Sequence, residues 1–205
     1  MTESVPFGSL TIAFDDRVLR PREWTAVQSE WAAELMATAP GGTDLELCAG
    51  AGHIGLLAVA QTGRRLLCVD ANPVACDYAR ANALAAGLAD LVEVREARLQ
   101  EALAPGETFP VVIADPPWVP REQTVRYPED PLTAIDGGDD GLDVARACLA
   151  VIDDHLSPGG SAVLQVGTRA QADALRREPC FSDGRLVMVE VRQQVRGVLA
   201  RIDRA

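Results

Sequence analysis

Residues 46–55 read E-L-C-A-G-A-G-H-I-G, and the reading of this stretch decides the fold. Ahead of it, Leu45-Glu46-Leu47-Cys48 is a short apolar strand. Behind it, residues 54–60 open an apolar helix. Gly50 and Gly52 fall where the strand must turn into the helix. Glycine there allows a sharp bend and lets a ligand come close to the main chain, and the first turn of the helix offers N–H groups with no partner inside it. Asp70 closes the next strand, where its carboxylate can accept both hydroxyls of a ribose. Gly50-Ala51-Gly52-His53-Ile54-Gly55 also fits the dinucleotide pattern G-x-G-x-x-G, with an acid about 20 residues after its first glycine. S-adenosylmethionine and NAD therefore both enter as candidate cofactors.

Outward from the loop, strand and helix patterns alternate. Strands are expected at 66–69, 91–94, 111–114 and 162–166, and helices at 73–86, about 141–155 and 171–176. Pro73 suits a first helical turn and Gly87 a stop. Residues 111–114, V-V-I-A, are wholly apolar, which predicts a central strand. Ser157-Pro158-Gly159-Gly160 reads as a turn, residues 115–141 as a long loop, and 186–191 and 195–202 as two late strands. On the N-terminal side, the first 20 residues read as a strand pair and residues 24–38 as a helix carrying Trp24, Val27, Trp31 and Leu35 at helical spacing. The expected organisation is a single domain over 1–205, with 1–40 a hairpin-and-helix extension on a 41–205 core. Such alternation gives an α/β fold with a largely parallel sheet and right-handed crossovers, whose ligand sits at the carboxyl ends of the strands.

The chain has 205 residues, 48% hydrophobic and 24% charged, with a net charge of −11. An acidic surface repels phosphate backbones, so a protein or small-molecule acceptor is favoured over free nucleic acid, although Arg17, Arg20 and Arg22 form a local basic group. No apolar run reaches the roughly 18 residues that span a bilayer, and the first ten residues lack the basic start and apolar stretch of a signal peptide. A cytoplasmic protein without membrane contact is expected. The five cysteines, Cys48, Cys68, Cys76, Cys148 and Cys180, form no CxxC, and His53 and His155 lie far apart, so reduced thiols and no metal site are expected.

The chemistry points to Asp115-Pro116-Pro117-Trp118, at the end of the strand 111–114. An amide or aromatic amine nitrogen is a poor nucleophile because its lone pair is delocalised. Two acceptors beside it, the Asp115 side chain and the Pro116 carbonyl, can hold both hydrogens, aim the nitrogen and stabilise the charge that develops on it. Pro116 and Pro117 stiffen the loop. Trp118 offers a flat face on which a planar group stacks. This motif argues against NAD. So does Glu46, an acid that crowds a pyrophosphate but can bind, directly or through water, the cationic amino-acid part of S-adenosylmethionine.

These motifs resemble the class I methyltransferases, and within them the HemK/PrmC-like protein-glutamine N5-methyltransferases. R-P-R-E-W-T at 20–25 is similar to that family's PRPET segment, residues 46–52 to D-L-G-T-G-S-G, V-D-A-N-P at 69–73 to its second motif, and D-P-P-W at 115–118 to N-P-P-Y. E-D-P-L-T-A-I-D-G-G-D-D-G-L-D at 129–143 is similar to E-P-x-x-A-L-x-G-G-x-D-G-L. The resemblance implies a Rossmann-like, seven-stranded, mostly parallel sheet with the last strand antiparallel, S-adenosylmethionine as donor and release-factor glutamine as the usual acceptor. It places Glu46, Cys48, Ala49, Gly50, Gly52, Asp70, Ala71, Asn72, Arg98 and Asp115 around the cofactor, and Asp115 to Trp118 around the acceptor nitrogen. Cys48 stands for a family glycine, Arg98 for an acid near the adenine amine, Asp115 for asparagine and Trp118 for tyrosine. The family's N-terminal helical substrate domain has no counterpart in the match, which suggests a partner protein or a smaller substrate. The competing readings are a methyltransferase for a nucleobase amine or metabolite, an NAD-linked oxidoreductase, and a silent S-adenosylmethionine-binding scaffold.

Overall fold

The computed structural model describes residues 1–205. In chain order, a hairpin of β1 (Glu3–Phe7) and β2 (Leu10–Phe14) leads through a 3-10 turn at Glu23–Thr25 into α1 (Ala26–Thr38). Then come β3 (Thr43–Leu47), α2 (His53–Thr62), β4 (Arg65–Asp70), α3 (Pro73–Ala85), β5 (Val92–Glu96) and β6 (Phe109–Ala114). The segment after β6 holds a 3-10 stretch at Arg121–Arg126 and the one-turn helix α4 (Leu132–Ile135). The chain closes with α5 (Asp143–His155), β7 (Leu156–Val166), α6 (Arg169–Leu175), the short α7 (Pro179–Ser182), β8 (Leu186–Gln193) and β9 (Val198–Arg204).

Seven strands form one sheet in the order β5-β4-β3-β6-β7-β9-β8. Neighbours from β5 to β7 are parallel, while β9 runs antiparallel to both β7 and β8. The last strand is thus the antiparallel one, and β6 takes the middle place. Every residue of β6 is buried, as a strand covered on both faces must be. One face packs α5 and α6 in a cluster of 26 buried residues that includes Leu45, Val112, Leu149 and Leu164. The other packs α1, α2 and the hairpin in a cluster of 19 that includes Phe7, Trp31, Ile54 and Ile113.

Two polar ties fix the N-terminal elements to the sheet. Gln28 of α1 is buried and donates to the Ala114 and Val163 carbonyls at 3.0 and 3.1 Å, which sets the helix over the carboxyl ends of β6 and β7. Asn82 of α3 accepts from the Ala13 N–H and donates to the Ala13 and Ala51 carbonyls, binding the hairpin to the turn after β3.

Three local expectations change. The first helix begins at Ala26, because residues 23–25 tighten into a 3-10 turn. Residues 157–160 turn as expected but inside β7, where pairing with β6 jumps from Phe109–Leu156 to Val111–Ser161. Pro110 sits at the jump and has no N–H for the ladder. The loop after β6 carries its own helical turns and backbone pairing: Val119 N–H donates to Ile135, Gly137 to Val119 and Asp143 to Gly137.

Candidate functional site

The turn after β3 is held in a conformation that few side chains tolerate. Cys48 has φ of 57°, the only non-glycine residue in the left-handed region, and Gly50 follows at 55°. That is why a glycine pattern occurs here at all. A Cβ on Gly50 would meet nothing within 4 Å, so the main chain there faces open space. Asp70 fastens the turn: Gly50 N–H donates to its Oδ2 and Asn72 N–H to its Oδ1, both at 2.8 Å. Each oxygen keeps a further lone pair.

This open space is a cavity of about 780 Å³ at the carboxyl ends of β3, β4 and β6. Cys48, Ala49, Gly50, Asp70, Ala71, Asn72, Arg98 and Asp115 all line it. Glu46 and Gly52 do not. Glu46 is 2% exposed and its side chain turns beneath α2, where Oε1 accepts the Gly55 N–H at 2.9 Å and Oε2 accepts from the Cys68 thiol. It meets an otherwise unpaired donor in the first turn of α2, and burial pushes its carboxyl up to about 7. Its expected contact with the amino-acid part of a cofactor, and its crowding of a pyrophosphate, are both corrected by this placement. Gly52 has φ of 80° and its missing Cβ leaves room for Ala79 of α3, so it serves helix packing and not ligand approach.

A second cavity, of about 520 Å³, opens beside the first. Asp115, Pro116, Pro117 and Trp118 line it together with Arg22, Trp24 and Thr25 from the segment before α1. Gln165 of β7, 1% exposed, donates Nε2–H to Asp115 Oδ1 at 2.8 Å. Burial drives the Asp115 carboxyl up to about 7. The Trp118 indole lies over Gly167, where any Cβ would strike the ring. Gln171 of α6 clamps the loop by donating to the Trp118 and Asp140 carbonyls and accepting from Gly167 and Thr168 N–H. Arg22 reaches across the chain to Asp130 at 2.6 Å and ties the N-terminal segment to the far side of the cavity.

The two cavities share Leu19, His53, Asp115, Pro117 and Ala134. The glycine loop and the D-P-P-W motif, 60 residues apart in sequence, therefore meet at one passage. Sequence reading missed Leu19, His53, Thr133, Ala134 and Gln165. A signal existed for Thr133 and Ala134, which lie inside the 129–143 motif. None existed for Gln165, a lone polar residue in an apolar strand, or for Leu19. The five thiols are free, with Cys48 and Cys148 Sγ 3.9 Å apart. No helix is long and apolar enough to cross a membrane.

Strand order, the antiparallel last strand and a ligand cavity over the first crossover define the class: this is the Rossmann-like fold of the class I methyltransferases. An RNA methyltransferase from Salinibacter ruber, solved in complex with S-adenosyl-L-homocysteine, superposes with a TM-score of 0.58 at 21% identity over 91% of this chain and 93% of that one. The chain belongs to the family described as Conserved hypothetical protein 95, whose model matches residues 15–128. It is also similar to a release factor glutamine methyltransferase of Clostridium acetobutylicum, 28% identical over 176 residues, covering 82% of this chain and 61% of the relative. A ribosomal protein uL3 glutamine methyltransferase of Bordetella pertussis is 33% identical over 128 residues, 60% of this chain and 43% of the relative. The resemblance read from the motifs thus extends over most of the chain, and the chain spans about three fifths or less of the length of these relatives.

Proposed function

We propose that this chain is an S-adenosylmethionine-dependent N-methyltransferase acting on a planar carboxamide nitrogen, with protein glutamine as the acceptor. The observation that carries the reading is the passage between two cavities at Asp115 and Pro117. A donor on one side and an acceptor on the other can face each other there without any covalent attachment to the protein.

The first cavity fits the donor. Its volume is in the range of small-molecule sites, the uncovered main chain at Gly50 allows close approach, and Asp70 presents free lone pairs for a ribose diol. Arg98 and Leu99, which follow β5, also line this cavity and would border the purine of the donor. The bound donor supplies an electrophilic methyl group; the remaining work falls to the chain. Asp115, with one oxygen fixed by Gln165, offers its other oxygen to an acceptor N–H, and the Pro116 carbonyl offers a second acceptor. Together they orient the nitrogen and stabilise its growing positive charge. Trp118 backs the amide plane. The proton released after transfer has an acceptor in the ionised Asp115 carboxylate. The glutamine activities named for the two relatives support the acceptor, and the overall acidity of the surface supports a protein over a polyanion. A cytoplasmic setting, with reduced thiols, and a partner protein that presents the glutamine belong to the same proposal.

The test is incubation of the purified chain and a cell extract with methyl-labelled donor, followed by identification of what becomes labelled. Label on protein glutamine is expected; label on nucleobases or metabolites alone would overturn the acceptor, and no label at all would overturn the activity.

A further inference from the structure

His53 is the first residue of α2, directly after Gly52. It is 9% exposed and lines both cavities. Of the five residues at the passage, only Asp115 and His53 carry polar side chains. Phe7 holds the ring edge-on at a centroid distance of 4.9 Å. Nδ1 is enclosed and has no hydrogen-bond partner, whereas Nε2 is also without a partner but is not enclosed. Burial keeps the ring neutral, pulling its titration down to about 4. A neutral imidazole carries one proton. An enclosed donor with no acceptor is rarer in folded proteins than an enclosed acceptor with no donor. The proton therefore belongs on Nε2, the nitrogen that ligands can reach.

We infer that His53 is an acceptor-binding residue, donating Nε2–H to the carbonyl oxygen of a carboxamide whose N–H2 is held by Asp115 and the Pro116 carbonyl. The inference rests on the acceptor reading above and deepens it. Two hydrogen-bond acceptors and one donor beside the passage match a primary amide, which presents two N–H and one C=O. They mismatch an aliphatic amine, which has no oxygen to receive the imidazole N–H. On an ester, which lacks the N–H2, His53 would still find a carbonyl but Asp115 and the Pro116 carbonyl would be left without donors.

The experiment uses the whole chain, labelled donor and a synthetic acetylated peptide with a single glutamine. His53→Phe keeps an aromatic ring against Phe7 and fills the same space, and His53→Gln keeps an N–H donor. Loss of one hydrogen bond should lower kcat/KM for the peptide in His53→Phe by roughly tenfold. S-adenosylhomocysteine should still raise its melting temperature as in the wild type, and His53→Gln should recover part of the rate. Because the ring is neutral, the ratio of wild-type to His53→Phe rates should be flat from pH 6 to pH 9. Equal rates in wild type and His53→Phe, with the wild type active on the peptide, would overturn this inference alone. Loss of the S-adenosylhomocysteine stabilisation in step with the rate would also overturn it, placing His53 in the donor site. A wild type inactive on the glutamine peptide but active on adenosine would overturn the acceptor reading and this inference together.

Discussion

The two cavities are built from different materials. The donor side is organised around main chain: the open Gly50 backbone and a carboxylate fastened by the Gly50 and Asn72 peptide N–H groups, with apolar side chains around them. The acceptor side is made of side chains gathered from distant parts of the sequence: Trp24, Asp115, Trp118, Asp130 and Gln165. Main chain tolerates many sequences provided the turn forms, so the donor side can be recognised from spacing alone. A side-chain site depends on each residue in it, so its specificity can change one substitution at a time.

The sharpest break of that contrast is Asp115→Ala. Removing a preorganised group from the reacting nitrogen should lower kcat roughly 100- to 1,000-fold, while titration calorimetry with S-adenosylhomocysteine should give near wild-type affinity. Wild-type turnover would remove Asp115 from the transfer step. The mirror-image change is Gly50→Val. It forces a branched side chain into φ of 55°, at roughly 1–2 kcal/mol of strain, and puts its bulk into the donor cavity. Donor affinity should fall by roughly tenfold or more by the same calorimetry, and unchanged affinity would show that the donor lies elsewhere.

Acidity sharpens the comparison further. Asp115 must be ionised to accept at both oxygens, and its carboxyl is pushed up to about 7. Rates should rise with pH up to that point and level off above it. Asp115→Asn retains one acceptor oxygen and should abolish the pH dependence; a persisting limb would assign it to another group. Glu46, likewise pushed up to about 7, bears on stability instead. Both carboxyls hold protons more tightly in the folded chain than in the unfolded one, where they titrate near about 4. The stabilisation is complete below that value and is lost as pH rises through about 7. The melting temperature should therefore fall between pH 5 and pH 8, by an amount equivalent to roughly 5 kcal/mol for the two carboxyls together, and less in Glu46→Gln. The smallest effect is expected for Arg22→Ala. Its partly exposed pair with Asp130 contributes on the order of 0.2–1 kcal/mol, so acceptor KM should rise no more than about fivefold with donor binding intact.

The sequence made the donor side legible because a strand, two glycines and an acid at the next strand end are local signals. It also placed β6 centrally from four apolar residues and marked the 129–143 segment. It erred where direction matters. Glu46 sits two residues before Cys48, the first cavity-lining residue of the turn, and its side chain lies under α2, where Gly55 leaves space for it. Gly52 looks like its neighbour Gly50, yet its open side meets Ala79 and not a ligand. Gln165 escaped notice because only tertiary pairing brings β7 against Asp115, 50 residues away. His53 was weighed only as a metal ligand, since nothing local announces a ring shared between two pockets.

The short helix α4 has a consequence for how variants are read. Thr133 faces the donor cavity, Ala134 faces both, and Ile135 faces the acceptor cavity. Three successive residues thus form a partition between the two ligands, braced through the Val119 and Gly137 backbone bonds. A swollen side chain at Ala134 would narrow both chambers at once, and the binding of the two ligands could not be tuned separately from that wall.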